Sequence, residues 1–193
     1  MKKIRKICVV GSPGSGKTTL CTGLFYFLKR VGAHVEMVPE LIKYKVYKNI
    51  PFGNDGFDIQ NTLEQREFEE VFETPKAMAQ IDYIICEAPL CNGYFYSSFY
   101  DKDLEVPILK KIAQSKINTY DLMVFVERAD DEYVSFGRKE SFAQAKKLEN
   151  HIKDKLKELD YQNDIIFVNQ HTDIKDILSL LDVDKKKLNK ILK

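Results

Sequence analysis

Gly11 to Thr18, inside the stretch GSPGSGKTTL, match the pattern GxxxxGK[ST] in full. The pattern holds phosphate for physical reasons. Gly14 and Gly16 let the backbone bend so that its amides point at phosphate oxygens, and a helix opening there adds the positive end of its dipole. Lys17 is expected to reach the outer phosphates of ATP, and Thr18 to hold Mg²⁺ through its hydroxyl. Gly11, Ser12, Pro13, Gly14, Ser15, Gly16, Lys17, Thr18 and Thr19 form the expected nucleotide-binding set.

Two carboxylates stand where such a loop can use them. Glu87 ends the apolar run in IDYIICEAPL and is expected to meet Mg²⁺ directly or through water. Glu40 ends the run in VEMVPELIKY and is expected to accept the proton of an attacking hydroxyl. An acceptor that is itself a phosphate needs no base, so Glu40 favours a hydroxyl acceptor. For both residues a helix-start carboxylate is the plain alternative. Arg128 and Arg138 lie in ERADDEYVSFGRKESFAQAKKLE (127–149), read as a short lid. Arginines on a closing lid meet the charge spread over a transferring phosphoryl group; solvated surface arginines are the alternative. Glu127, Asp130 and Asp131 read as lid surface.

These residues need a scaffold that gathers them. Five short apolar runs read as buried strands: 4–10, 34–38, 82–86, 121–126 and 164–168. Helical patterns fall between them: 17–30 with Gly32 as its stop, 62–80 broken at Pro75, one within 104–118 and one within 139–159. DIKDILSLL and a short basic helix close the chain. The alternation predicts an α/β three-layer phosphate-loop fold: a five-stranded parallel sheet with helices on both faces and a short lid, as one domain over 1–193. Ligands of such sheets bind beyond the carboxyl ends of the strands. Three of the five strand ends carry a carboxylate there: Glu40, Glu87 and Glu127.

Other users of a phosphate loop lack their marks here. A guanine-reading NKxD is missing, since Asn169 is followed by Gln170, and no DxxG follows a strand. CEAP lacks the second acidic residue of a helicase-like motor, and no LSGGQ-like segment is present. A compact ATP-dependent kinase remains, with residues 41–80 expected to cover the acceptor. Tyr44, Tyr47, Phe52, Phe57, Gln60, Gln65 and Arg66 lie in that region, and the aromatic cluster NGYFYSSFYD (92–101) follows Glu87. These aromatics stack on an acceptor ring or simply pack the helical layer. Adenine is expected near Asn169–Thr172.

A net charge of +1 supplies no overall field that recruits nucleic acid or a membrane, though a local basic groove fits inside a neutral total. MKKIRKICVVG has too short an apolar run for a signal peptide, and no stretch nears the ~20 apolar residues of a membrane span. A soluble cytoplasmic protein is expected. Cys8, Cys21, Cys86 and Cys91 form no CxxC pair and read as buried thiols, and the three histidines are scattered.

GSPGSGKTTL, VPE, CEAPL and YDLMVFVER…GRKE together resemble the small phosphate-loop kinase/ATPase group that includes nicotinamide riboside kinase domains and phage and bacterial AAA-type relatives. Deoxyribonucleoside kinases are similar in part. That resemblance implies Glu40 as the base and Glu87 on the metal or phosphate side. The chain departs from their Glu-Arg-Ser, because Ala88 and Pro89 follow Glu87. The expected partner is a small nucleoside-like or nucleotide-like acceptor. A hydroxyl within a polynucleotide or modified DNA, and a regulatory ATP-binding module, are the alternatives. The oligomeric state is not legible.

Overall fold

Five strands pair side by side, all parallel, in a computed structural model that describes residues 5–50, 56–100, 102–128, 140–169, 171–172, 174–181 and 183–191. They are β1 (Arg5–Val10), β2 (Val35–Val38), β3 (Tyr83–Cys86), β4 (Leu122–Val126) and β5 (Ile165–Val168), in the order β2-β3-β1-β4-β5. β1 is central, with Cys8 opposite Cys86 on one side and Met123 on the other.

Side chains alternate across a strand, so a strand covered on both faces must be apolar at every position. β1 follows this rule from Ile7 to Val10. Cys8 and Val10 point into one core and Ile7 and Val9 into the other. The first core is closed by α5 (Cys91–Phe99), α6 (Val106–Lys116) and α7 (Phe142–Lys157). The second is closed by α1 (Lys17–Arg30), α8 (Ile174–Leu180) and α9 (Lys185–Ile191). The three layers are those the strand–helix alternation predicts. α1 stops as expected at Gly32, whose φ of +90° suits glycine. Gly32 N–H donates to Lys29 O and Ala33 N–H to Leu28 O, the paired bonds that close a helix end.

The connection from β2 to β3 carries α2 (Leu41–Tyr47), α3 (Phe57–Glu70) and α4 (Pro75–Met78). α3 begins five residues before the expected position 62, because Phe57 and Asp58 are already buried. It ends in a 3₁₀ turn over 71–73. The break falls at Pro75, with the Thr74 hydroxyl accepting from Ala77 N–H. α5 corrects the reading of 92–101 as an aromatic stretch without assigned structure. Cys91, Tyr94 and Phe95 recur at helical spacing and bury themselves in the first core. The second part of the expected lid also belongs to the fixed layer. α7 starts at Phe142 with a capping box between Ser141 and Gln144, and buries Ala145 and Leu148. Residues 129–139 lie outside the described residues.

One buried ion pair ties this connection to the sheet. Lys6 Nζ lies 2.8 Å from Glu69 Oε1, with the side chains 8% and 2% exposed. Glu69 also accepts from Tyr120 O–H at 3.2 Å and Cys86 S–H at 3.2 Å, while Lys6 bonds Glu73 as well. Tyr120 Oη in turn accepts from Leu90 N–H at 3.0 Å, at the start of α5. Burial alone would lower the Lys6 value, but the charge of Glu69 beside it leaves it raised. All four cysteines are buried and free. Among the described residues no helix is long and apolar enough to cross a membrane.

Candidate phosphoryl-transfer site

The phosphate loop leaves β1 and runs into α1. Gly11 has φ +156°, and a Cβ there would lie 2.5 Å from Val126 O and 2.7 Å from Ser15 Oγ. Only glycine lets the loop pass the end of β4 this closely. Gly14 and Gly16 have φ of +83° and +98°, which turn the backbone into the helix. Lys17 is buried and donates to Gly11 O and Ser12 O, both at 2.9 Å. Burial pulls its ammonium below the ordinary lysine value, an effect that the nearby Glu40 charge opposes.

Thr18, Glu87 and Glu40 come together from three separate segments. Thr18 Oγ1 donates to Glu87 Oε1, and Glu87 is 3% exposed. β3 is the direct neighbour of β1, which is why its end meets the loop. Glu40 stands at the N-cap position of α2, but its side chain makes no cap hydrogen bond there. Gln65 of α3 fixes the backbone on both sides of it, donating to Pro39 O at 2.9 Å and accepting from Leu41 N–H at 3.1 Å. In this structure Gln65 therefore spends both ends of its amide on the Glu40 turn.

The group that joins these residues is Lys43, which the phosphate-loop motif does not mark. Its Nζ donates to Thr18 Oγ1 at 2.7 Å and to Glu87, and lies 3.3 Å from Glu40 Oε2. The available signal was its spacing, one helical turn after Glu40. Burial alone would lower the Lys43 value, but the charges of Glu40 and Glu87 leave it raised. One hydroxyl and two carboxylates surround the ammonium, an all-oxygen set of the kind that hard divalent cations take. A cation already stands at the point expected for Mg²⁺, so the donors present fit that metal.

Beside this cluster opens a cavity of about 630 Å³, within the usual range for small-molecule sites. The loop residues 13–14 and 16–19 form one end. Ile42, Val46, Tyr47, Ala88, Pro89 and Tyr96 contribute apolar wall. At the other end Asp58 accepts from Ser97 O–H at 2.8 Å and from Lys102 Nζ at 2.7 Å. Asn61 Oδ1 is buried without a hydrogen-bond partner among the described residues. α3 and α5 approach closely here, and a Cβ on Gly93 would lie 2.1 Å from Thr62 Oγ1. Lys102, Asp58 and Asn61 were also missed, because nothing local marks them.

Among the described residues, Arg66, Arg128, Asn169 and Thr172 are not in the cavity wall. Arg128 lies against the outer side of the loop, donating from its guanidinium to Pro13 O and stacking over Phe142 at 5.3 Å. Its N–H donates to Glu149, which also accepts from Ser12 O–H at 3.3 Å. Arg138 lies outside the described residues. Arg66 pairs with Glu70 at 2.6 Å on the surface of α3. Asn169 and Thr172 form a closed turn after β5, with Asn169 N–H donating to Thr172 Oγ1 at 3.0 Å.

No curated protein matches the chain. Several solved structures share its fold. Deoxyadenosine kinase from M. mycoides, with products dCMP and a flexible dCDP bound, is 16% identical at a TM-score of 0.57, covering 96% of this chain and 99% of that one. Thymidylate kinase from Ehrlichia chaffeensis is 18% identical at 0.59, covering 93% and 98%. NadR in complex with NR is 16% identical at 0.69, and the 94% of this chain that aligns spans 53% of NadR. At these identities the likeness is one of fold. A family model described as AAA domain matches residues 6–174, most of the chain, from within β1 past the end of β5, and the chain belongs to that family.

Proposed function

We propose that the chain is an ATP-dependent kinase that transfers the γ-phosphate to a hydroxyl of a nucleoside-like or nucleotide-like acceptor. One observation carries this reading. Glu40 lines the same cavity of about 630 Å³ as Lys17 and Thr18 of the phosphate loop, and shares the Lys43 ammonium with Glu87. The likeness of fold to nucleoside and nucleotide kinases is compatible with it.

In this mechanism the backbone N–H groups of residues 14–18 hold the β- and γ-phosphates, and Lys17 leaves its two loop carbonyls to meet the outer oxygens. Thr18 and Glu87 would hold Mg²⁺, which supplies neutralising charge at the phosphate oxygens when bound. Glu40 accepts the proton of the acceptor hydroxyl as the new P–O bond forms and the bond from the γ-phosphorus to the β,γ-bridging oxygen breaks, with ADP as the leaving group. The apolar wall excludes water that would otherwise take the phosphoryl group. Asn61 Oδ1 offers a hydrogen-bond acceptor to a ring amino or imino group, and Asp58 with Lys102 bounds the far end of the cavity. Arg128 and Arg138 close over the transferring phosphate when the lid shuts, with Arg128 first giving up Pro13 O.

A second reading, a hydroxyl within a polynucleotide, is favoured by Tyr44 and Tyr47. They are 56% and 67% exposed on α2, and Tyr47 lies at the cavity rim. Exposed aromatics of this kind stack single-stranded bases.

The test is a labelled-ATP screen across nucleosides, nucleoside monophosphates, nicotinamide riboside and modified DNA, with Glu40→Gln run beside the wild type. Transfer to a free nucleoside that falls at least ~100-fold in the variant is the expected result. Undiminished transfer in Glu40→Gln removes the base. Labelling of DNA alone, weakened by salt, selects the second reading. No labelled acceptor leaves a regulatory ATP-binding module.

A further inference from the structure

We infer that Lys43 is the resident cation of the metal position, so that divalent metal enters only by displacing it and nucleotide phosphates give the displaced ammonium its next partner. The inference rests on the metal seat of the proposed function and not on the identity of the acceptor.

Lys43 Nζ touches the hydroxyl and the carboxylate that would hold Mg²⁺, Thr18 Oγ1 at 2.7 Å and Glu87 by hydrogen bond, and also lies 3.3 Å from Glu40 Oε2. A divalent ion held between Thr18 and Glu87 would lie at contact distance from that ammonium, and like charges so close exclude each other. Lys17 does not fill this place, because it is turned to the carbonyls of Gly11 and Ser12. Lys43 therefore balances the charges of Glu40 and Glu87. It is also free to leave. Its side chain is 42% exposed, against 4% for Glu87, and it lines the cavity rather than the core.

Metal alone makes Lys43 give up two carboxylates and a hydroxyl for water. Metal arriving with a nucleotide brings phosphate oxygens to the mouth of the same cavity, within the sweep of a four-carbon side chain on α2. Metal and nucleotide binding are coupled through this side chain, which discourages metal from occupying the seat without its phosphate.

The experiment measures Mn²⁺ binding, by electron paramagnetic resonance and calorimetry, to the wild type, Lys43→Met, Lys43→Gln and Lys43→Arg. Without nucleotide, Lys43→Met and Lys43→Gln are expected to bind Mn²⁺ at least ~10-fold more tightly than the wild type, while Lys43→Arg stays as weak. With a non-hydrolysable ATP analogue the difference narrows, because the wild type gains most. In thermal melts Mn²⁺ raises the melting temperature of Lys43→Met more than that of the wild type, relative to the same proteins in EDTA. Equal Mn²⁺ affinity of wild type and Lys43→Met overturns the inference, as does an Arg variant that binds as tightly as the Met variant or an equal rise in the melts. Mn²⁺ binding to none of the four proteins, with or without the analogue, removes the metal seat and the proposed function with it.

Discussion

Removing either member of the Lys6–Glu69 pair is expected to cost far more than removing both. At an effective dielectric constant of about 20, unit charges 2.8 Å apart attract by about 6 kcal/mol. Desolvating the two ions takes back several kcal/mol each, so the intact pair contributes little net stability. Lys6→Met leaves the Glu69 carboxylate buried with only Tyr120 and Cys86 as donors. Glu69→Met leaves Lys6 with Glu73, whose side chain is 35% exposed, and leaves Tyr120 O–H without its acceptor. Each single variant should lose about 3–5 kcal/mol, the cost of an uncompensated buried ion. For a chain of this length that lowers the melting temperature by about 10 °C. The double variant puts two apolar side chains face to face and should be no less stable than either single one. Urea unfolding of the four proteins measures the cycle. Costs that add in the double variant would refute the reasoning, for they would mean that the two residues act separately.

Three further outcomes follow from particular contacts. Gly93→Ala drives a methyl group into Thr62, which lines the cavity; it should destabilise by about 1–3 kcal/mol and raise the acceptor KM more than that of ATP, as steady-state kinetics with each substrate varied will show. Gly11→Ala forces the loop off Val126 O, so nucleotide affinity measured by calorimetry should fall at least ~10-fold while circular dichroism shows the sheet retained. Glu158 accepts from Lys155, Tyr94 and Lys110, and these bonds hold its carboxyl down at about 2. A folded value below the unfolded one gives stability that is present above the ordinary carboxylate range and lost as pH falls toward 2. Glu158→Gln should therefore cost less than about 1 kcal/mol at pH 7, since the site is partly exposed, and the cost in urea unfolding should vanish at pH 2.

Strands and the loop were legible because their signals are local. Ile7 to Val10 announce a strand buried on both faces, and Gly14, Gly16 and Lys17 announce the phosphate site, with no help from distant residues. α5 was not legible as a helix. Its Tyr, Phe and Ser content carries no strong helical preference, and packing of Tyr94 and Phe95 against the sheet decides the matter. The site was half legible for the same reason. Thr18 belongs to the loop motif at the start of α1, and Glu40 and Glu87 follow strand ends, where topology must bring them near the loop. Lys43 has no such marker, and its role appears only when α2 is seen to turn back across Thr18. Asp58 and Lys102 are 44 residues apart in sequence and meet only through the packing of α3 near α6.

The strand order has a consequence for how the chain comes to function. β1 carries the loop, yet both its neighbours come much later: Tyr83 is the partner of Arg5, and Leu122 that of Ile7. During synthesis the segment 5–18 emerges before both of these neighbours and has neither to pair with. β2 cannot shelter it, because β2 pairs with β3 and not with β1. The wall that confines Gly11, Val126 O, is made still later. Closing such long chain separations is slow compared with forming helices. The part of the chain whose sequence is easiest to read is thus among the last to acquire its shape, and a ribosome-bound fragment ending before β4 should not hold nucleotide.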